Sequence, residues 1–502
     1  MEGENLLFRR QFLMGPKDSV QRNGWKIIEL PERYFVCVHP DLKLTKFQKG
    51  NDCIVILGYV LDPYNPMATD EEIVESLLSE NLSFNNLLEK MEPIAGRYIC
   101  ISYLQGKFRI FNDPIGFRQI YYHFDHNDKI WCSSQPVMLT EHFGFKSDEE
   151  IIKDLYKIPL FQSGGEYWYP GSVSLYKEIL HLLPNRFIDV KEKKQIRFWP
   201  DKDISVKGID ECTEQVATLL EQLIMSAYSR FELEIAITSG LDSRIILAAT
   251  KAISGKAHYF THTHQKLSIN GADIAIPSLI AKDLKLNHTV VFHTDELDHN
   301  FESVFRKNVT TARLKKGINA FAMYNHFATY GKEKVVVHGN AGEISRSFYY
   351  LPRIVPVNGE TLSVLTGMSK SRLAKEQFDI WLGESRYAFK RGIRELDLFY
   401  WEQRIANWAA MSYSEYDIAF ESFSPFSCRK LLILLLSTDE KYRISPRYEL
   451  HYNLISRLWP EVLKYPVNPS KNRTVAIRKK LKATPIYKLY KNVKFLKYVK
   501  IL

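Results

Sequence analysis

Hydrophobic positions in the first 140 residues recur in short runs bounded by polar turns. The runs are Trp25–Leu30, Tyr34–Val38, Cys53–Val60, Arg97–Tyr103, Phe108–Phe111, Ile120–Phe124 and Ile130–Ser133. Length and β-type composition predict strands. Helical spacing interrupts them near Glu71–Ser79 and Phe84–Met91. Strands in runs with helices grouped between them predict an α+β layered domain. Residues 141–205, rich in Tyr, Pro and Gly, read as a connection. From Ile209 the pattern changes to alternation: helix Glu211–Ser229, strand Leu233–Ile237, helix Leu241–Ala252, strand Ala257–Thr261, helix Ala272–Lys285, strand His288–Phe292. That βαβαβ order predicts a parallel sheet with a ligand site at the carboxyl ends of its strands. A further apolar strand, Lys334–His338, runs into Gly339, and the remainder reads as mostly helical.

A chain of 502 residues is long enough for two or more domains, each with its own core. Its 45% hydrophobic and 25% charged content is that of a soluble globular protein. The formal net charge of +10 would suggest a nucleic-acid or membrane partner. Its location argues otherwise. From Lys471 onward there are 11 Lys+Arg and no Asp or Glu; removing these 11 from +10 leaves −1 for residues 1–470. The body is near neutral, so no nucleic-acid partner is expected. The longest aliphatic run, Leu431–Leu436, is too short to span a bilayer. The opening residues lack the basic-then-apolar layout of a secretory signal. Six cysteines (Cys37, Cys53, Cys100, Cys132, Cys212, Cys428) show no CxxC and read as buried thiols in a reducing compartment. A cytoplasmic protein is expected.

The most informative segment is Thr238-Ser239-Gly240-Leu241-Asp242-Ser243-Arg244, where a buried strand ends in small and hydroxyl residues and a helix begins at once. A helix N-terminus aims free N–H groups at one spot and can bind phosphate. Gly240 permits a tight turn, and Thr238, Ser239 and Ser243 add hydroxyls. Asp242 would repel phosphate unless a cation intervened, which suggests a Mg²⁺ ligand. Arg244 adds a planar cation. The spacing is not GxxxxGK[ST], so a Walker-type ATPase is disfavoured. A simply capped helix would use the same residue types. His262 and His264 read as strand residues on one face, with no third ligand at metal-binding spacing.

The Thr238–Ser243 segment resembles the SGGxDS pyrophosphate loop of N-type ATP pyrophosphatases, and within them the asparagine synthetase family. Thr stands for the first Ser and Ser for the first Gly. The resemblance implies an enzyme that cleaves ATP to AMP and pyrophosphate while activating a carboxylate as an acyl-adenylate. Phe260-Thr261-His262 falls where relatives hold adenine, Thr261 and His262 being the candidates. Gly271-Ala272-Asp273 opens a helix with the family's acidic start. Gly339-Asn340-Ala341-Gly342-Glu343 resembles the GEGxDE segment, with Glu343 at the Mg²⁺-binding Asp and Asn340 at a functional Glu. Glu421-Ser422-Phe423-Ser424-Pro425-Phe426 resembles ExRxPF, with Phe423 for Arg and Glu421 a candidate catalytic residue. Trp459-Pro460-Glu461-Val462-Leu463 followed by Lys471 resembles the LPxxI…K ending, which makes Lys471 the candidate for stabilising acyl transfer. Earlier, Asn112-Asp113-Pro114-Ile115-Gly116-Phe117-Arg118 resembles class II glutamine amidotransferase domains, and Asp113 and Arg118 are expected to pair.

The resemblance implies a two-domain chain. An N-terminal Ntn-hydrolase-like layered domain (1–195) precedes an α/β parallel-sheet ATP-pyrophosphatase domain with a helical C-terminal part (205–475) and a basic tail (476–502). Active class II domains carry a catalytic Cys at position 2; here Glu2 stands there, so no glutaminase activity is expected. β-Lactam synthetases and lasso-peptide macrolactam synthetases resemble this layout. The implied function is an AMP-forming amide ligase using ATP and Mg²⁺, with small-molecule or peptide carboxylate and amine substrates. A non-catalytic homologue binding nucleotide or a partner, a glutamine-independent asparagine synthase, and adenylation of a nucleobase or thiolation remain alternatives. The basic tail reads by default as a solvated helix with a partly buried apolar stripe; the sharper alternative is that it lies beside the synthetase mouth and attracts an acidic or phosphate-bearing substrate.

Overall fold

The computed structural model describes residues 5–16, 20–78, 82–163, 166–263, 271–294, 296–309, 313–329, 334–352 and 354–469. Glu2, His264, Lys471 and the basic tail lie outside the described residues. Two antiparallel sheets form the N-terminal half. The strands are β1 Phe12–Pro16, β2 Lys26–Leu30, β3 Tyr34–Val38, β4 Leu44–Lys49, β5 Asp52–Leu61, β6 Ala95–Leu104, β7 Lys107–Asn112, β8 Tyr121–Phe124, β9 Ile130–Ser133, β10 Leu180–His181, β11 Arg186–Asp189 and β12 Lys194–Arg197. One sheet has the order β10-β8-β9-β1-β3-β2, the other β12-β11-β7-β6-β5-β4.

The sheets stack face to face over Phe12, Val36, Val55, Leu57, Ile99, Ile101, Ile110 and Cys132. Alternation along each strand sends the other side chains outward. Ile54, Ile56, Tyr98 and Cys100 receive the helices Asp70–Leu77 and Phe84–Met91. Leu13, Cys37 and Trp131 receive the helix Pro136–Phe143. The result is a four-layer helix–sheet–sheet–helix arrangement. Gly15 shows how tight it is: a Cβ there would sit 2.4 Å from the Trp131 ring.

The second half carries a parallel sheet of β13 Leu233–Ala236, β14 His258–His262, β15 Asn287–Val291, β16 Val335–Val337 and β17 Glu421–Phe423, in the order β15-β14-β13-β16-β17. The chain builds outward from β13 in one direction, then returns to place β16 on its other side. The crevice at the carboxyl ends of β13 and β16 is therefore the topological switch point, where such sheets bind ligands. Helices Ile209–Arg230, Leu241–Ala249 and Glu449–Leu458 cover one face, Leu314–Ala328 the other. One apolar cluster runs without a break from Tyr59, Ile115, Phe117 and Trp168 to Leu220, Ile245, Trp401 and Leu454, joining the two halves.

Polar groups tie the same seam. Asp113 does not pair with Arg118. Its carboxylate accepts the backbone N–H groups of residues 115 to 118 at 2.8–3.1 Å, closing the Pro114–Gly116 turn, and the Ser427 hydroxyl at 3.1 Å. Arg118 instead reaches Glu421 at 2.7 Å. Residues 6–11 precede β1 and lie on the second half, where Asn308 accepts the Phe8 N–H and donates to the Leu6 carbonyl. All six cysteines are buried and unbridged. Burial pushes the Cys37 thiol up, so it is a poor nucleophile. Among the described residues no helix is long and apolar enough to cross a membrane.

Candidate functional site

β13 delivers the chain to Thr238, and the helix Leu241–Ala249 starts three residues later with Gly240 as its N-cap and no side chain capping it. The turn is held from inside. Thr238 and Ser243 hydroxyls lie 2.8 Å apart, and the Gly240 N–H donates to Thr238 Oγ1 at 3.0 Å. Ser239 donates its hydroxyl to Asp273, the first-turn acid of the helix Ala272–Asp283. The Asn468 N–H donates to the Ser239 carbonyl at 2.9 Å. The start of the helix Leu241–Ala249 is thus a fixed loop with no side chain on its cap, the kind of helix start an anion site can use.

The segment after β16 packs directly on this loop. A Cβ at Gly339 would come 2.8 Å from the Asp242 carbonyl carbon and the Ser243 nitrogen. One at Gly342 would come 2.9 Å from Asp242 Oδ1. Position 339 meets backbone and admits only glycine, whereas the atoms nearest Gly342 belong to the Asp242 and Phe426 side chains. Between them Ala341 holds φ at +77°, a conformation that glycine adopts without cost. The following turn brings Glu343 and Arg346 to Asp242. Arg346 pairs with Asp242 Oδ2 at 2.7 Å and stands 3.9 Å from Glu343 Oε1.

The other oxygen of each acid is left over. Asp242 Oδ1 and Glu343 Oε2 are buried and have no hydrogen-bond partner among the described residues. Burial first, then the Glu343 charge, raises the Asp242 carboxyl to about 8; Arg346 only partly offsets them. Two adjacent acids with orphaned oxygens beside phosphate-type amides fit a divalent cation shared with a polyphosphate, because Mg²⁺ takes one or two carboxylates and fills its shell with water and phosphate. Among the described residues no group of three or more metal-type side chains converges.

Thr261 and His262 sit on β14 beside this loop, paired with Val290 and Val291 of β15. The Thr261 hydroxyl donates to the Ile237 carbonyl at 2.9 Å and lies 2.9 Å from His288.

Two assignments change. Arg244 is fully buried and turns away from the loop. Its guanidinium donates to the carbonyls of Val462 (2.6 Å), Tyr465 (3.1 Å) and Pro466 (3.5 Å). It anchors the last described segment and has no N–H face toward a phosphate. Glu421 is placed at the wrong edge of the sheet. It stands level with Val335, and Val335 with Leu233, so it lies at the amino end while the loop leaves the carboxyl end. Its carboxylate is bound by Arg97 at 2.9 Å and Arg118 at 2.7 Å. Phe423, buried beside Tyr59, occupies the position of the expected arginine.

The structure also adds residues. Arg346 had no motif to announce it, although its spacing of three from Glu343 would put both on one side of a helical turn. Gly342 and Asn468 act through contacts between distant segments.

No protein-family profile matches the chain, and no curated protein matches it. Among solved structures, glutamine phosphoribosylpyrophosphate amidotransferase from B. subtilis, complexed with ADP and GMP, aligns over 61% of this chain and 89% of its own, at 11% identity and TM-score 0.24. NMN synthetase from Francisella tularensis aligns over 36% of this chain and 95% of its own, at 12% identity and TM-score 0.22. The allosteric regulatory enzyme of purine biosynthesis aligns over 59% and 63%, at 11% identity and TM-score 0.24. These scores are too low to place the chain in a family.

Proposed function

We propose that this protein is an ATP-dependent ligase that activates a carboxylate by adenylation, releasing pyrophosphate, for attack by an amine. The observation that carries this reading is that Asp242 and Glu343 share one arginine, Arg346, and each keeps an oxygen without a partner among the described residues, beside the uncapped helix start at Leu241. Capping a helix calls for no second acid at that place.

In this reading the Leu241–Ser243 amides and the Thr238 and Ser243 hydroxyls bind the pyrophosphate portion of ATP. Asp242 and Glu343 would hold Mg²⁺, which would supply positive charge opposite the pyrophosphate. Thr261 and His262 border the adenine, and Gly339 keeps the two segments in contact. The substrate carboxylate attacks the α-phosphorus, the bond to pyrophosphate breaks, and the amine then displaces AMP. Lys471 is assigned to the tetrahedral species. The two-domain division, the pyrophosphatase-type sheet domain and the absence of glutaminase activity belong to the same proposal.

The test is ATP–pyrophosphate exchange against a panel of carboxylic acids, amino acids and peptides. Asp242→Ala should reduce exchange by about 10³-fold or more, the scale of losing a charge-stabilising group. Exchange at the wild-type rate in that variant would refute the metal assignment.

A further inference from the structure

A cavity of about 400 Å³ lies on the seam between the two halves, and none of its walls belongs to the loop after β13 or to the segment after β16. Glu92 reaches it from the end of the helix Phe84–Met91, and Phe198, Trp199 and Asp201 from the chain that follows β12. The second half supplies Tyr387 from the helix Arg372–Lys390 and Arg429 from the start of the helix Arg429–Leu436. Backbone contacts fix these walls together. The Lys430 N–H donates to the Glu92 carbonyl at 2.9 Å, and Ala95 bridges to Cys428.

Arg429 sets the chemistry of the cavity. It is 7% exposed, and its guanidinium lies over Phe198 at 4.9 Å and Trp199 at 5.6 Å. Its Nη1 donates to Asn185 Oδ1. Among the described residues the side chain makes no other hydrogen bond and no ion pair, so the donors on Nε and Nη2 remain for whatever fills the cavity. The nearby carboxylate of Glu402 is already saturated. It accepts two bonds from Arg197 at 2.6 Å and one each from Arg186, Asn185 and Trp381, more than its four lone-pair sites accommodate singly. Burial pulls the Arg429 pKa below the ordinary arginine value, and Tyr98, Glu92, Glu402 and Asp201 offset that only in part.

Unused negative charge lines the same space. Glu92 and Asp201 make no side-chain hydrogen bond or ion pair among the described residues, and neither pairs with Arg429. Tyr387, 52% exposed, adds an aromatic surface at the mouth. A simple anion in this cavity would meet Glu92 and Asp201, and a simple cation would meet Arg429; each is penalised by like charge. A zwitterion with a ring satisfies every wall, and the volume lies within the range of small-ligand pockets.

We propose that this cavity is a second ligand site and takes a free α-amino acid with an aromatic side chain. The carboxylate binds Arg429, the ammonium binds Glu92 and Asp201, and the ring lies against Phe198 and Tyr387. Such a ligand spans the halves, because Glu92 belongs to the first and Arg429 to the second. The inference is independent of the adenylation reading, since the two share no residue.

The experiment uses the full chain, calorimetric titration and thermal melting. L-Phenylalanine and L-tryptophan should bind and raise the melting temperature. Hydrocinnamate lacks the ammonium and phenethylamine lacks the carboxylate. Each should bind about 10-fold or more weakly than L-phenylalanine, the scale of a charge-assisted hydrogen bond. Asp201→Asn, at an exposed position, and Glu92→Gln should each weaken L-phenylalanine by about 10-fold and leave hydrocinnamate unchanged or tighter. Arg429→Lys should weaken L-phenylalanine and leave phenethylamine no weaker. An unfolded variant would lose every probe, so the split reports contact, and Asp201→Asn decides the matter even where Arg429→Lys does not fold. No binding by either amino acid, equal binding by L-phenylalanine and a one-charge analogue, or unchanged L-phenylalanine binding in Asp201→Asn would overturn the inference.

Discussion

Two places in this molecule set arginine against a pair of carboxylates, and they are built to opposite ends. At the seam between the halves, Arg97 grips Asp417 with two nitrogens and reaches Glu421, and Arg118 takes the other Glu421 oxygen. Positive charge there matches or exceeds negative. At the loop after β13, one arginine faces two acids and leaves an oxygen of each unfilled. The titration behaviour follows. Burial alone would raise Glu421, but Arg118 and Arg97 outweigh it and pull the carboxyl down to about 2. Asp242, similarly enclosed and next to another acid, rises to about 8. An ion cluster that is complete serves cohesion; one short of positive charge has room for a cation, as the proposed Mg²⁺ site requires. Motif matching alone had made both site residues, Glu421 as a catalytic group and Asp242 as a metal ligand.

The contrast can be broken experimentally. The largest effect should be functional: Asp242→Ala should lose exchange, whereas the thermal stability of that variant without Mg²⁺ should match or exceed wild type, because a repulsive buried acid is gone. At the other cluster the sign reverses. Arg97→Ala leaves two buried carboxylates short of their cation and should cost about 3–5 kcal/mol in urea unfolding.

Smaller is the response to pH, which separates the clusters by window. Glu421 is depressed, so its contribution is present above about 4.5 and lost as pH falls toward 2. Asp242 is raised, so its contribution is full below about 3.8 and lost as pH climbs through about 8. Without Mg²⁺, the wild type should lose stability from pH 5 to pH 8 relative to Asp242→Asn. Saturating Mg²⁺ should remove that difference, because the bound carboxylate stays ionised. A slope identical in both proteins would place the titration elsewhere. The smallest effect belongs to Ala341→Gly. Relief of the positive φ should gain under about 1 kcal/mol, less the entropy that glycine returns to the unfolded chain.

The regions differ too in how well the sequence announced them. Tyr34–Val38 and Phe84–Met91 match the structure residue for residue, and the first three strands of the parallel sheet lie within a residue or so of their expected places. These segments carry their own periodicity. β17 is three residues inside a helical stretch and exists only by pairing with β16. β1 contains Gly15 and Pro16, poor strand formers that the sheet accepts because Trp131 fills the glycine's place. The loop Thr238–Ser243 was legible because its chemistry is local. Arg244 and Glu421 were misplaced because the direction of a helix face and the register of a sheet decide what those side chains meet.

The continuous cluster that runs from Tyr59 and Phe117 to Leu220 and Leu454 bears on how this chain can change over evolutionary time. The Tyr59 hydroxyl bonds the Ser422 carbonyl at 2.7 Å, beside the strand that completes the parallel sheet. A gene encoding only residues 205–475 would therefore expose an apolar face and strand Asp417 and Glu421 without their arginines. Selection can erase whatever chemistry the first half performs, but it cannot delete that half without losing the fold of the second.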